Sequence, residues 1–220
     1  MSSSGAERAP ATGRGRLFVI SAPSGAGKTS LVRALLERDP ALEVSVSYTT
    51  RKPRSHEVQG REYHFVSIGE FEALVARSAF LEHARVFDHL YGTGRERVER
   101  SLQAGTDVVL EIDWQGARQV RAALPECISI FILPPSRRAL EERLMHRQTD
   151  SPEIIERRLR DAVDDMRHSS EFDYVVVNDR FDSAVDDLVA IIAARGEALR
   201  QGRESLRSLL GELLGEPAAS

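Results

Sequence analysis

The 220-residue sequence holds a single cysteine, a single tryptophan and only two lysines, and it has no long apolar run. Each scarcity excludes something. Cys127 has no partner for an intrachain disulfide, and no Cys/His spacing suits a zinc site. It lies beside the apolar run Ile128 to Leu133, which predicts a buried structural thiol. No apolar stretch reaches the length of a membrane span. Met1 to Gly15, rich in Ser, Gly and Ala, lacks the apolar centre of a secretory signal. The expected setting is a reducing cytoplasm, without a membrane partner. A net charge of -4 argues against a nucleic-acid coat, so phosphate binding must come from locally clustered positive charge.

The shortage of lysine also points somewhere. Of 30 basic residues only Lys28 and Lys52 are lysines, and the other 28 are arginines. One of the two falls where a phosphate loop requires it. At 41% hydrophobic and 29% charged, the chain is of ordinary globular composition and long enough to bury one core. Buried strands are predicted at 16–22, 107–113, 129–133 and 174–177, separated by helical patterns at 29–38, 95–103, 115–123, 136–147 and 152–168. Strands alternating with helices predict an α/β fold, a parallel sheet covered on both faces. Between Ser45 and Gly94 the rhythm breaks. This segment is polar, dense in Arg, Glu, His and Tyr, with strand-like pieces at 63–66 and 82–87 around a helix at 70–76. It reads as an inserted substrate lobe. Near the end, Leu206, Leu209, Leu210 and Leu213 have helical spacing, which suits a packing helix or a contact with a second copy.

Ala22-Pro23-Ser24-Gly25-Ala26-Gly27-Lys28-Thr29 stands between a predicted strand and a predicted helix, the context of a P-loop. Glycines at 25 and 27 let the backbone turn its N–H groups inward on phosphate oxygens, and the helix N-terminus adds partial positive charge. Lys28 can reach the β- and γ-phosphates, and the Thr29 hydroxyl can ligate Mg²⁺. Ala22 stands where Gly is commonest. The motif reports a nucleoside triphosphate but no reaction. A second run, Ser47-Tyr48-Thr49-Thr50-Arg51-Lys52-Pro53-Arg54, continues to Glu57, Gly60, Tyr63 and Phe65. Two arginines with a tyrosine beyond them can grip a phosphate through guanidinium forks and a phenol. By itself the run reads equally well as a solvated charged loop.

Thr49-Thr50-Arg51, Arg54, Glu57, Gly60, Tyr63 and Phe65 together resemble the signature of guanylate kinases. Later blocks are similar to the same family: Phe80-Leu81-Glu82-His83, Tyr91-Gly92-Thr93, Glu111 to Gly116, Ile132 to Ser136, and Val177-Asn178-Asp179. The resemblance spans roughly residues 16 to 195. It implies a P-loop nucleoside-monophosphate-kinase fold with core segments 16–44, 95–138 and 168–199. A GMP-binding α+β lobe (45–94) and a helical lid (139–167) are inserted in it. Outside the resemblance, 1–15 is expected to be a disordered extension and 200–220 a partly helical tail. The implied activity is in-line phosphoryl transfer from ATP to GMP with Mg²⁺, within purine nucleotide metabolism, and no nucleic-acid partner. The sequence leaves dGMP open as an acceptor and does not choose between monomer and homodimer.

Roles follow from the resemblance residue by residue. Ser47, Arg51, Arg54 and Tyr63 match positions that hold the GMP phosphate, with Tyr91 helping. Glu82 matches the carboxylate that reads the base, because guanine offers N1–H and N2–H₂ donors. Thr93 stands where Ser is usual and a hydroxyl donates to guanine O6. Asp113 matches an acid near guanine and the Mg²⁺-bound waters, and Glu111 stands where Asp is frequent; either could merely end a strand. Arg143, Arg147 and Arg158 match the lid's catalytic arginines, with His146 and Gln148 replacing glycines that often flank the middle one. Asn178 and Asp179 match positions near the adenine of ATP. Two other readings compete. One is a non-catalytic scaffold module, against which Lys28, Thr29 and the lid arginines speak. The other is a kinase for a different small acceptor, against which Glu82 and Thr93 speak.

Overall fold

The computed structural model describes residues 13–55, 57–86, 88–145 and 152–215. Most of the extension expected at 1–15 lies outside these, as do Arg147, His146 and Gln148. The order is β1 (Leu17–Ser21), α1 (Lys28–Arg38), β2 (Glu43–Val44), β3 (Tyr48–Thr49), β4 (His64–Phe65), α2 (Ile68–Ala76), β5 (Phe80–Val86) and β6 (His89–Gly94). There follow α3 (Arg95–Gln103), β7 (Val108–Glu111), α4 (Trp114–Ala123), β8 (Ile128–Leu133), α5 (Arg137–Met145), α6 (Pro152–Arg167), β9 (Tyr174–Val177), α7 (Phe181–Ile192) and α8 (Glu204–Leu214).

Five strands form a parallel sheet in the order β2-β7-β1-β8-β9. Period-two alternation splits its side chains between two cores. Leu17 and Val19 join a cluster with residues of α3, α4, α5, α6 and α8, whereas Phe18 and Ile20 pack against α1 and α7. Helices on both faces account for the apolar runs Leu17–Ile20 in β1 and Ile130–Leu133 in β8. β1 lies at the centre, with β2 and β7 on one side of it and β8 and β9 on the other. A crevice therefore opens at the carboxyl ends of β1 and β7, where such sheets bind ligands.

The second sheet, β4-β3-β6-β5, is mostly antiparallel and belongs to the segment that broke the rhythm. A capping box of Ser67 and Glu70 starts α2, which buries Phe71 against Phe80 at 4.7 Å. Leu140, Leu144, Ala162 and Met166 from the segment 139–167 are core residues, so both of its helices are anchored. In α8, Leu206 and Leu213 are buried in that core and Leu209 and Leu210 pack against it: this is a packing helix. Cys127 is buried, and burial pushes its thiol up to about 11. Among the described residues no helix is long and apolar enough to cross a membrane.

Two differences from the predicted elements have local causes. β7 spans Val108–Glu111 only, because Asp107 turns aside to accept from the Arg16 backbone N–H and guanidinium, both at 2.7 Å. α7 is absent from the predicted helices. Its acidic residues interrupt the pattern, yet Ala184, Val185, Leu188, Ile191 and Ile192 bury one stripe.

Candidate active site

The P-loop leaves β1 at Ser21 and enters α1 at Lys28. Gly25 and Gly27 have φ of 89° and 94°, conformations that side chains rarely adopt. Leu140 and Leu144 press on Gly25 from behind, where a Cβ would meet them at 2.9 and 3.0 Å. Ala22, Pro23, Ser24, Gly25, Gly27, Lys28 and Thr29 line a cavity of about 250 Å³, and Ala26 is buried beneath. The Lys28 ammonium donates to the Ile112 carbonyl at 3.0 Å. Burial lowers its pKa, opposed by the carboxylates of Glu111, Asp113, Asp165 and Glu82.

Ile20 is paired in register with Glu111, which places the end of β7 beside the loop. There the Thr29 hydroxyl donates to the Glu111 carboxylate. Asp113 is the N-cap of α4 and accepts from the Gly116 N–H at 2.7 Å. Of the two acids it is therefore Glu111 that touches Thr29, although the metal reading rested on Asp113.

The lobe faces this crevice. Lys28, Ser47, Tyr63, Glu82, Tyr91, Glu111 and Asp113 line one cavity of about 230 Å³. An adjoining cavity of about 440 Å³ is lined by Thr29, Ser47, Arg51, Arg54, Glu57, Tyr63 and Tyr91, among others. Arg51 is held by Glu57 through two bonds of 2.9 and 2.8 Å, and Glu57 also accepts from the Arg54 N–H at 2.7 Å. These contacts hold the Glu57 carboxyl down at about 2. Burial drives the Tyr63 phenol up to about 12, so it stays a donor. A larger cavity, about 680 Å³, lies against Tyr48, His64 and Arg95 and touches none of these groups.

Glu82 is 3% exposed, and Thr93 donates to it at 2.6 Å. The Thr93 hydroxyl, expected to serve guanine O6, thus gives its proton to Glu82 in this structure. Burial pushes the Glu82 carboxyl up to about 7, and Asp113 adds to the shift. The direction has a consequence for any ligand that needs the ionised form. We expect the KM for GMP to rise as pH falls below about 7, approaching ~10-fold per unit. Initial rates at fixed saturating ATP from pH 6 to 8.5 would show this, and a flat KM would refute it.

On the other side, Arg158 lines a cavity of about 450 Å³ with Ala22, Ser24, Asp113 and Asp165. Asp165 accepts from the Trp114 indole at 3.0 Å, and burial, with Asp113 nearby, raises it to about 6. Arg143 approaches from behind. One of its guanidinium nitrogens donates to the Asn178 carbonyl at 2.9 Å, and another is buried with no hydrogen-bond partner. Asn178 is 5% exposed, and its amide donates to the Ala26 carbonyl at 2.7 Å. Its side chain therefore holds the P-loop from below, a contact that the resemblance, which places Asn178 near the adenine of ATP, does not specify.

The Thr29–Glu111 contact and the Asn178–Ala26 bond join partners far apart in sequence, whereas the Arg51–Glu57 fork is local. Glu57 and Glu111 were visible in the motifs but without these tasks, and Asp165 carried no signal at all.

The guanylate kinase family model matches residues 14–195. The chain belongs to the guanylate kinase family. It is 54% identical over 201 residues to a guanylate kinase of Alkalilimnicola ehrlichii, covering 91% of this chain and 99% of that one. A guanylate kinase of Thiobacillus denitrificans is 56% identical over 193 residues, covering 87% and 92%. A solved guanylate kinase from Anaplasma phagocytophilum superimposes with a TM-score of 0.69 at 33% identity, covering 90% of this chain and 94% of that one. The parallel core flanked by helices is the P-loop nucleoside-monophosphate-kinase fold shared with this family.

Proposed function

We propose that this guanylate-kinase-family chain transfers the terminal phosphoryl group of ATP to GMP, yielding ADP and GDP. One observation carries the reading: a single cavity has the P-loop ammonium of Lys28 on one wall and Glu82, Tyr63, Tyr91 and Ser47 on the other. A donor phosphate on the loop and an acceptor nucleotide in the lobe would meet there.

The acceptor oxygen belongs to a phosphate whose second pKa is about 6, so it is largely ionised at neutral pH and needs no general base. Positioning and charge neutralisation make up the catalysis. Arg51 and Arg54 offset the acceptor's charge, and Glu57 holds Arg51 in place. Tyr63 and Ser47 add donors to the same phosphate. Glu82 accepts from guanine N1–H and N2–H₂, and AMP, with an acceptor at N1, leaves the buried carboxylate unpaired. On the donor side the loop amides and Lys28 hold the β- and γ-phosphates. Arg143, Arg158 and Arg147 complete the neutralisation.

Mg²⁺ fits beside the loop, where the Thr29 hydroxyl and the Glu111 carboxylate meet as hard oxygen donors. It would supply further charge neutralisation on the nucleotide phosphates. Asp113, the N-cap of α4, would hold the ion through a water.

A coupled ADP-release assay with GMP, AMP, UMP and no acceptor tests the reading. Release should depend on GMP and on a divalent cation. Equal rates with AMP, or acceptor-independent ATP hydrolysis, would defeat it.

A further inference from the structure

β5 is the outer strand of the lobe sheet, so its free edge presents backbone groups with no strand beside them. At His83 one side chain takes both. Gln119 Oε1 accepts from the His83 N–H at 3.1 Å, and Gln119 Nε2 donates to the His83 carbonyl at 2.9 Å. The carboxamide imitates the next strand and ties β5 to α4, a helix of the core sheet. His83 directly follows Glu82.

One turn earlier on the same face of α4 stands Gly116. A Cβ built there would lie 2.7 Å from Glu82 Oε2 and 3.3 Å from Asp113 Oδ1. The absence of a side chain lets the buried carboxylate sit against the helix. Asp113 is itself the N-cap of α4 and bonds the Gly116 N–H. Two of the three acids that line the cavity are thus referenced to one helix: Asp113 by capping it, Glu82 through a strand that Gln119 holds.

We propose that Gln119 is a positioning residue for base selection, setting how far Glu82 enters the cavity, with Gly116 supplying the room. This rests on Glu82 reading guanine. The carboxylate must meet two donors side by side, N1–H and the exocyclic amine. A strand free to slide along α4 would keep one bond and spoil the other. Discrimination for the exocyclic amine is therefore the property most exposed to Gln119.

The test compares GMP with IMP, the same nucleotide without that amine, in the intact enzyme, in Gln119→Met and in Gly116→Ala. Met matches Gln in length and helix preference, and Ala is a better helix former than Gly, so both variants should fold. Gln119→Met is expected to raise the KM for GMP about tenfold, leave the KM for ATP unchanged, and lower the GMP-over-IMP ratio of kcat/KM by a similar factor. Gly116→Ala should lower the same ratio by displacing the carboxylate directly. A merely structural role would reduce kcat equally for both acceptors and leave the ratio alone. An unchanged ratio in Gln119→Met overturns the proposal; should that variant not fold, Gly116→Ala decides it. An intact enzyme that does not phosphorylate GMP would bring down the underlying reading and this proposal together.

Discussion

Lys28→Met is expected to lower turnover by ~10³-fold or more while leaving the fold standing. The ammonium is enclosed, bonded to the Ile112 carbonyl at 3.0 Å, and faces four carboxylates. Methionine replaces the apolar stem as far as Cε. It forfeits one hydrogen bond, worth about 1 kcal/mol, and removes the cost of desolvating a charge in partial return. Transfer has no such return, because among the described residues no other lysine or arginine lines the cavity that the ammonium shares with Glu82. A secondary effect follows from the same electrostatics. Without the cation, Glu82 loses the one charge that opposes its raised pKa, so GMP binding at neutral pH should weaken as well. Circular dichroism melting and saturated initial rates would be measured together. A well-folded variant that keeps a tenth of the wild-type turnover would remove Lys28 from the mechanism.

Glu82→Gln should cut kcat/KM for GMP by ~10²-fold and erode the preference over AMP. The amide offers one acceptor and one donor where guanine presents donors only, so a donor is left facing a donor. Stability should move the other way. The pKa of Glu82 is raised to about 7 in the fold, so the contribution of its protonated form is fully present below its unfolded value near 4.5 and is lost as pH rises through 7. At 3% exposure the loss is on the order of 3 kcal/mol above pH 7. The neutral amide avoids it. The variant is therefore expected to melt above the wild type at pH 8, with the advantage shrinking towards pH 5. Poorer catalysis in a protein that melts higher would assign the carboxylate to function and not to folding. A GMP/AMP preference identical to that of the wild type would reject the assignment.

How far the sequence reached is seen best at particular residues. The P-loop was legible because its chemistry is local: two glycines, a lysine and a threonine act within one turn of chain. Arg51, Arg54 and Tyr63 were legible as a motif, yet a solvated loop explained them equally well until Glu57 was seen to hold the guanidinium. Asn178 was read only as lying near the adenine of ATP. The sequence offered a polar residue after a strand, and only folding shows that its amide is spent on the Ala26 carbonyl. Asp165 and Gln119 left no mark, since a carboxylate or carboxamide on a helix face is ordinary until its partner across space is known.

The sequence by itself determined the alternation of strand and helix, the phosphate loop and the kinship, because these depend on periodicity and on residues near one another along the chain. Tertiary structure alone decided which acid meets Thr29, how deep Glu82 lies and what ties its strand to the core. Burial and hydrogen-bond pairing between distant segments set those outcomes, and neither is a property of any short stretch of sequence.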